Sequence, residues 1–485
     1  MKLLSKKFEL AKRGLSFIPT FWFTVQALLA QPMLLADIYS GVGGSNTMYF
    51  TIYDNDLYFE ASAVSLGSEL WKYNGTVPEM VYDLWPGPAS GSPRSLIVYD
   101  GKLFFGGTNS FSGYELWSYD GSQMTLEADI SASSSIPQGM VEFDGKIYFQ
   151  ANDGINGQEL WSFDGDTAVM EADIRAGANS STPIHMTVFN DKLYFRATDG
   201  ITGNEMWSFD GDTAVLVADI NPGSAPSQAQ EFTEFNGKLY FQADDGVNGT
   251  ELWSFDGTNV ALEQDIFTGS DNSYPADFTE YNGKLYFTAW TEQTGQELRA
   301  YDGVNDTLVM DLNPGPDHSL TLSMIVYDNK LFFNGTNGII GNELWTYDGD
   351  TVNLVADINV GSDDSWPGVF SVYNGRLFFN ARDGIHGSEI WTYSDGIVSV
   401  LDNVETVNDL SIFPNPTTST ITLQTKTPLK QAWLADLAGR RLMPLQPNGT
   451  LWQADLSTLP HGMYLVEFYT EDTERGVRKV VKTLQ

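Results

Sequence analysis

The 485-residue chain is 42% apolar and 13% aromatic, enough to build sizeable cores, so wholesale disorder is excluded. It carries 63 Asp and Glu against 26 Lys and Arg, a formal net charge of -37, which excludes nucleic acid as a partner because phosphate binding depends on clustered cations. It has no cysteine, and that removes disulfides, thiol catalysis and Cys-ligated metal centres.

Lys2, Lys6, Lys7, Lys12 and Arg13 precede a mostly apolar run from Leu15 to Ala30, which Pro19 interrupts. The run is short for a membrane span and ends on a small residue. It predicts a signal peptide over residues 1–30, with the mature chain starting near Gln31; the alternative is an uncleaved anchor. No later stretch is apolar enough to cross a bilayer as a helix, so the mature protein is expected to lack a transmembrane helix.

The middle of the chain is one unit written eight times. Glu-Leu-Trp or a near variant starts at Glu69, Glu115, Glu159, Glu205, Glu251, Glu297, Glu343 and Glu389, almost always 46 residues apart. Each unit holds four short β-type runs, as in Thr187–Phe189, Lys192–Phe195, Glu205–Phe209 and Ala214–Val217. Asn-Gly or Asp-Gly pairs separate runs one and two (Asp144-Gly145, Asn236-Gly237) and runs three and four (Asp164-Gly165, Asp210-Gly211). Both sets predict type I′ hairpin turns with positive φ at two positions. No stretch has a helical period.

Four antiparallel strands in about 46 residues is the signature of a propeller blade, and such a sheet needs neighbours on both faces. The predicted fold is therefore all-β, an eight-bladed β-propeller over residues 31–403. The fourth run occurs nine times, first at Leu34–Ile38 and last at Val398–Asp402. Either end is able to complete the last blade, and the sequence leaves that choice open.

Trp71, Trp117, Trp161, Trp207, Trp253, Trp345 and Trp391 recur in register, with Arg299 in the sixth unit. They are expected to fill the space between blades; the alternative is a sugar-stacking platform. The eight Glu residues are expected to accept hydrogen bonds from backbone N–H groups of a neighbouring turn. A calcium site is the rival, because an Asp-Gly-x-x-Gly loop lies six residues before the Glu in four units. The candidate ligand pairs are Asp153 with Glu159, Asp199 with Glu205, Asp245 with Glu251, and Asp383 with Glu389. No other cofactor is expected. The Asp that ends the fourth run, as at Asp83, Asp219 and Asp357, is expected to cap the following turn.

His185, His318, His386 and His461 show no metal-ligand spacing, and no nucleophile or phosphate-loop motif occurs. Catalytic residues are therefore expected to be absent. The features that break the repeat are Trp290, Arg175, Arg196, Arg299 and Arg382. Were they gathered with carboxylates around a channel pocket, an enzyme would be favoured.

Residues 31–403 hold 13 Lys and Arg against 54 Asp and Glu, whereas residues 404–485 hold eight of each sign. This shift marks a domain boundary near residue 404. Alternating runs at Thr420–Leu423, Gln431–Leu434, Arg441–Met443, Met463–Phe468 and Lys479–Thr483 predict a small antiparallel β-sandwich over residues 404–485. Within it stand Phe413-Pro414-Asn415-Pro416, Asp436-Leu437-Ala438-Gly439-Arg440, the stretch from Asp455 to Gly462-Met463-Tyr464, and Lys479-Val480-Val481-Lys482. These four motifs in this order resemble the C-terminal sorting domain of the type IX (Por) secretion system. The resemblance implies a Bacteroidetes source, entry to the periplasm by signal peptide, and passage across the outer membrane. It also implies the type IX machinery as a partner, with Pro414, Asn415, Pro416, Gly439, Gly462, Tyr464, Lys479, Val480, Val481 and Lys482 as the sorting signal.

The units themselves, as in Gln158–Asp166 followed by Ala172-Asp173-Ile174, resemble the bacterial ELWxxDGT repeat family, which implies no particular activity. The chain is thus read as an exported or surface-displayed monomeric propeller that binds a glycan or surface protein without catalysis. The alternatives are a carbohydrate-active hydrolase or lyase in the channel, and a structural surface component.

Overall fold

The computed structural model describes residues 31–319, 322–394, 410–413, 419–425, 428–435, 441–448, 451–457, 459, 462–470 and 475–482. The described residues form strands, turns and loops and no helix, hence no helix long and apolar enough to cross a membrane. The predicted signal peptide and Val398–Asp402 lie outside them.

Between Met33 and Tyr393 the described strands make eight four-stranded antiparallel sheets, each with the size and order of a propeller blade. In the first sheet the order is β2 (Met48–Tyr53), β3 (Asp56–Ala63), β4 (Gly67–Tyr73) and β5 (Pro78–Tyr82). The first strand of each sheet packs beside the first strand of the next, and Gly368–Tyr373 in the eighth sheet packs beside β2. The sheets thus follow one another in a closed order, with their first strands on the inner edge. The open question of strand completion is answered at the N-terminus. β1 (Met33–Ala36) pairs antiparallel with Ser388–Tyr393 and supplies the fourth strand of the eighth sheet.

The sheets are cemented by alternation. On β3, Leu57, Phe59 and Ala61 face the eighth sheet, where they meet Tyr373, Phe378 and Ile390. Tyr58 faces the other way, into a cluster with Leu103, Phe105 and Trp117 of the second sheet. Equivalent clusters join the remaining sheets. The indoles lie within these seams: Trp207 is 8% exposed and Trp253 9%. They pack in the seams, Trp71 and Trp161 as half-buried members. The sixth sheet lacks the indole, and there the Arg299 guanidinium is held by both carboxylate oxygens of Asp306 on the adjacent strand.

The two hairpin classes differ, contrary to the expectation of a common turn. Between strands one and two, Asp144 and Gly145 both have positive φ (46° and 71°), as do Asn236 and Gly237. Between strands three and four only the glycine does: Gly165 has φ 101°. There the Asp164 carboxylate accepts the N–H groups of Asp166 (3.0 Å) and Thr167 (2.8 Å). The side chain completes the turn and spares Asp164 the left-handed conformation.

The tail contains two four-stranded sheets around one core. Ile421, Leu423 and Ala454 of one sheet meet Leu434, Val466, Phe468 and Val480 of the other.

Replacing Trp253 by Ala removes an indole from the seam between the fourth and fifth sheets, a loss of about 3–5 kcal/mol. The denaturant midpoint should fall by the corresponding amount; a shift below about 1 kcal/mol, within the range of surface substitutions, would show that the seam does not hold the ring.

Candidate functional site

The eight repeated Glu residues are fully buried, at 0% exposure. Each reaches the loop that leads to the next sheet. Glu205 accepts N–H groups of Ile220 (2.9 Å) and Ser227 (2.8 Å), and Glu159 those of Ile174 and Ser181 together with the Ser181 hydroxyl. Glu389 does the same across the chain ends, accepting from Ile38, Tyr39 and Ser45. Burial pushes Glu69, Glu205, Glu251 and Glu297 up to about 7, against the lowering effect of these donors.

The calcium candidates face different partners. Asp153 accepts the N–H groups of Ile155 and Asn156 in its own loop, while Glu159 serves the next loop. Asp199, Asp245 and Asp383 repeat this arrangement. Burial raises these four carboxyls, but the N–H donors outweigh it and hold them below the usual range. Among the described residues no three His, Asp or Glu gather in a metal-holding group. The Asp after the fourth strand caps as expected: Gly223 N–H donates to Asp219 and Gly361 N–H to Asp357.

A different position repeats its backbone while its side chains vary. Every inner strand has a β-bulge, as where Gln230 opposes Gln242 but Thr233 opposes Tyr240. The first bulged residue is left-handed in all eight sheets: Tyr49, Ser95, Gly139, His185, Glu231, Asp277, Ser323 and Val369, with φ between 52° and 68°. This backbone disfavours most side chains, Val above all. It is kept while seven different residue types occupy it. Side chains here bridge to the next sheet. Gly139 N–H donates to Ser95 Oγ at 3.2 Å, Asp277 N–H to the Glu231 carboxylate, and Ser323 N–H to that of Asp277.

Glu231 and Asp277 share a cavity of about 280 Å³ with Thr233, Thr279, Phe278 and Phe370. Burial raises both carboxyls, and the charge of Asp277 raises Glu231 further. On the adjoining fourth sheet, burial and then the Arg196 charge lower His185. Arg196 itself donates to Gln230 Oε1 at 2.7 Å. The cavity offers oxygen acceptors, hydroxyls and aromatic walls, a lining suited to a polyhydroxylated or cationic ligand. Of the repeat-breaking residues singled out in the sequence, none lines the cavity: Arg196 reaches Gln230, next to Glu231, and Arg299 is tied to Asp306. Glu231 and Asp277 were missed because the chain is rich in acids. Their signal is positional: the register that breaks the repeat in every unit.

Residues 411–483 match the family of secretion-system C-terminal sorting domains. This sorting domain indicates export to the cell surface or secretion. Gly462 and Tyr464 lie on the strand Gly462–Thr470, with Tyr464 buried, and Lys479, Val480, Val481 and Lys482 lie on Arg475–Lys482. Pro414, Asn415, Pro416 and Gly439 lie outside the described residues. No curated protein matches the chain. Similar solved structures include the computationally designed Ika8 protein (12% identity, TM-score 0.45, covering 74% of this chain and 99% of that one). Another is the β-propeller domain of the Trilobed protease from Pyrococcus furiosus (12%, 0.41, 65% and 99%). A third is PorZ, a surface component of the type-IX secretion system of Porphyromonas gingivalis (13%, 0.29, 90% and 75%).

The Glu cluster makes stability depend on pH. With folded values near 7 against the usual 4.5, these groups contribute fully below about pH 4.5, and the contribution is lost as pH rises through 7. The melting temperature should therefore fall from pH 5 to pH 8. Glu205→Gln should flatten that slope by one site and, by setting an amide donor against N–H donors, cost about 1–3 kcal/mol. An unchanged slope in this variant would remove Glu205 from the titration.

Proposed function

We propose that the chain is an exported binding module: an eight-bladed β-propeller over residues 31–403, preceded by a signal peptide (1–30) and followed by a β-sandwich sorting domain (404–485) read by the type IX machinery. The closed order of the sheets and the matched tail support this layout. The observation that carries the binding reading is the inner bulge, where a fixed backbone presents changing side chains around the Glu231–Asp277 cavity. The exposed loop tips Phe111, Ile155, Ile201, Val247, Ile339 and Ile385 favour contact with a surface partner as well.

The second reading is a carbohydrate-active hydrolase. It is favoured by one feature, two carboxyls of raised proton affinity in one cavity, which suits proton transfer to a leaving group.

Two experiments test these readings. Ending the chain at residue 403 should leave it in the periplasm of its native host, while the full chain reaches the surface or medium; outward passage of the truncated chain would refute the sorting role. Residues 31–485 should be screened against glycan and surface-protein arrays. Asp277→Asn should then weaken binding by about tenfold, the loss of one charge-assisted contact. Unaltered binding would exclude the cavity, and product release that disappears in Glu231→Gln would replace binding by catalysis.

A further inference from the structure

Away from the axial cavity, a groove of about 420 Å³ opens between the loops at residues 174–183, 198–204 and 224–226. Its lining includes Arg175, Ser180, Thr182, Thr198, Asn204 and Ser224. Arg175 donates through Nη1 to the Ser180 carbonyl at 3.4 Å, and among the described residues no carboxylate lies in ion-pairing range of it. Lys102, Lys146 and Lys238 each have a Glu within 2.9 Å. The neighbouring Asp199 is turned into its own loop, where it accepts from Ile201 and Thr202.

A second groove in the ring places its cation differently. Four repeats further on, the equivalent groove of about 330 Å³ is lined by Asn359, Asp364 and Arg382. There Asn359 takes the place of Arg175 and donates to the Asp364 carbonyl at 2.9 Å, while the cation, Arg382, stands where Thr198 stands, donates from Nε to the same carbonyl at 2.8 Å and lies 3.9 Å from the Asp364 carboxylate. The Arg175 groove leaves a planar set of donors facing hydroxyls and an amide, and a guanidinium of this kind matches a two-oxygen anion.

We infer that the Arg175 groove binds an anionic substituent, a carboxylate or sulfate ester, on a saccharide. The hydroxyl-rich walls pair with sugar hydroxyls and, apart from Pro226, give a peptide side chain no apolar anchor. The surrounding negative field acts over about 8 Å at physiological salt, so it disfavours densely charged chains and selects an isolated acidic group. This site lies outside the axial cavity, and its failure would leave the reading of that cavity standing.

The test is calorimetric titration of residues 31–485 with a galacturonate trimer, a singly sulfated oligosaccharide, their neutral counterparts and a tripeptide with a free C-terminus. One or both charged saccharides should bind, the two arms separating carboxylate from sulfate. Arg175→Ala should weaken that binding by about tenfold or more with an unchanged melting temperature. Arg382→Ala should leave it unchanged. Equal binding of the neutral sugars, binding of the tripeptide alone, an unaffected Arg175→Ala or no binding of either charged saccharide would each overturn the inference.

Discussion

The structure depends on one repeated contact, a buried carboxylate that grips the loop leading to the next sheet. A Glu at 0% exposure is costly unless its oxygens are satisfied, and the backbone N–H groups of that loop are equally in need of acceptors. Each solves the other's deficit. The contact fixes the path of the connection, and so sets how one sheet is offered to the next. At Glu389 the loop lies at the opposite end of the chain, in residues 38–45, and the same chemistry joins the two ends of the array. Closure then needs no new type of interaction: β1 adds main-chain hydrogen bonds and the Glu389 clamp adds three N–H donors.

The aromatic seams play a different part. Tyr, Phe and Trp pack in the seams with Leu and Ala, and that energy is large but weakly directional. The clamp contributes less energy and more geometry. The sixth sheet shows the separation. It has lost the indole to Arg299, yet Glu297 still accepts the N–H of Leu312. Packing tolerates a substitution there, while the carboxylate contact is kept in every repeat.

Much of the fold was legible because strand period, turn residues and a 46-residue spacing all point the same way. Trp207 and Glu205 sit on opposite sides of no ambiguity: one is apolar at an inward register, the other polar at an inward register and thus obliged to find donors. The second hairpin was misread because Asp-Gly has two solutions. The side chain of Asp164 supplies the turn's acceptor, a contact that the dipeptide alone does not reveal. The N-terminal closure was undecidable because Leu34–Ile38 and Val398–Asp402 carry the same pattern. The candidate site was hidden for a simpler reason. A carboxylate in a chain with 63 of them is not a signal, and Glu231 and Asp277 became distinctive only once the bulge placed them on the inner edge.

That placement explains how a repetitive ring supports a single site. Every seam residue is constrained by two sheets, so variation there is felt by the whole ring. The bulged residue takes the same left-handed backbone whatever its side chain, because the register slip imposes it for Tyr49, His185, Glu231 and Val369 alike. Its side chain is free to differ from one sheet to the next. Outer grooves follow the same rule in weaker form: the Arg175 and Arg382 grooves share their glycines at 200 and 384, and differ in which position of the repeat carries the arginine and in whether a carboxylate lies near it. Function in such a ring is therefore expected where the backbone repeats and the chemistry does not.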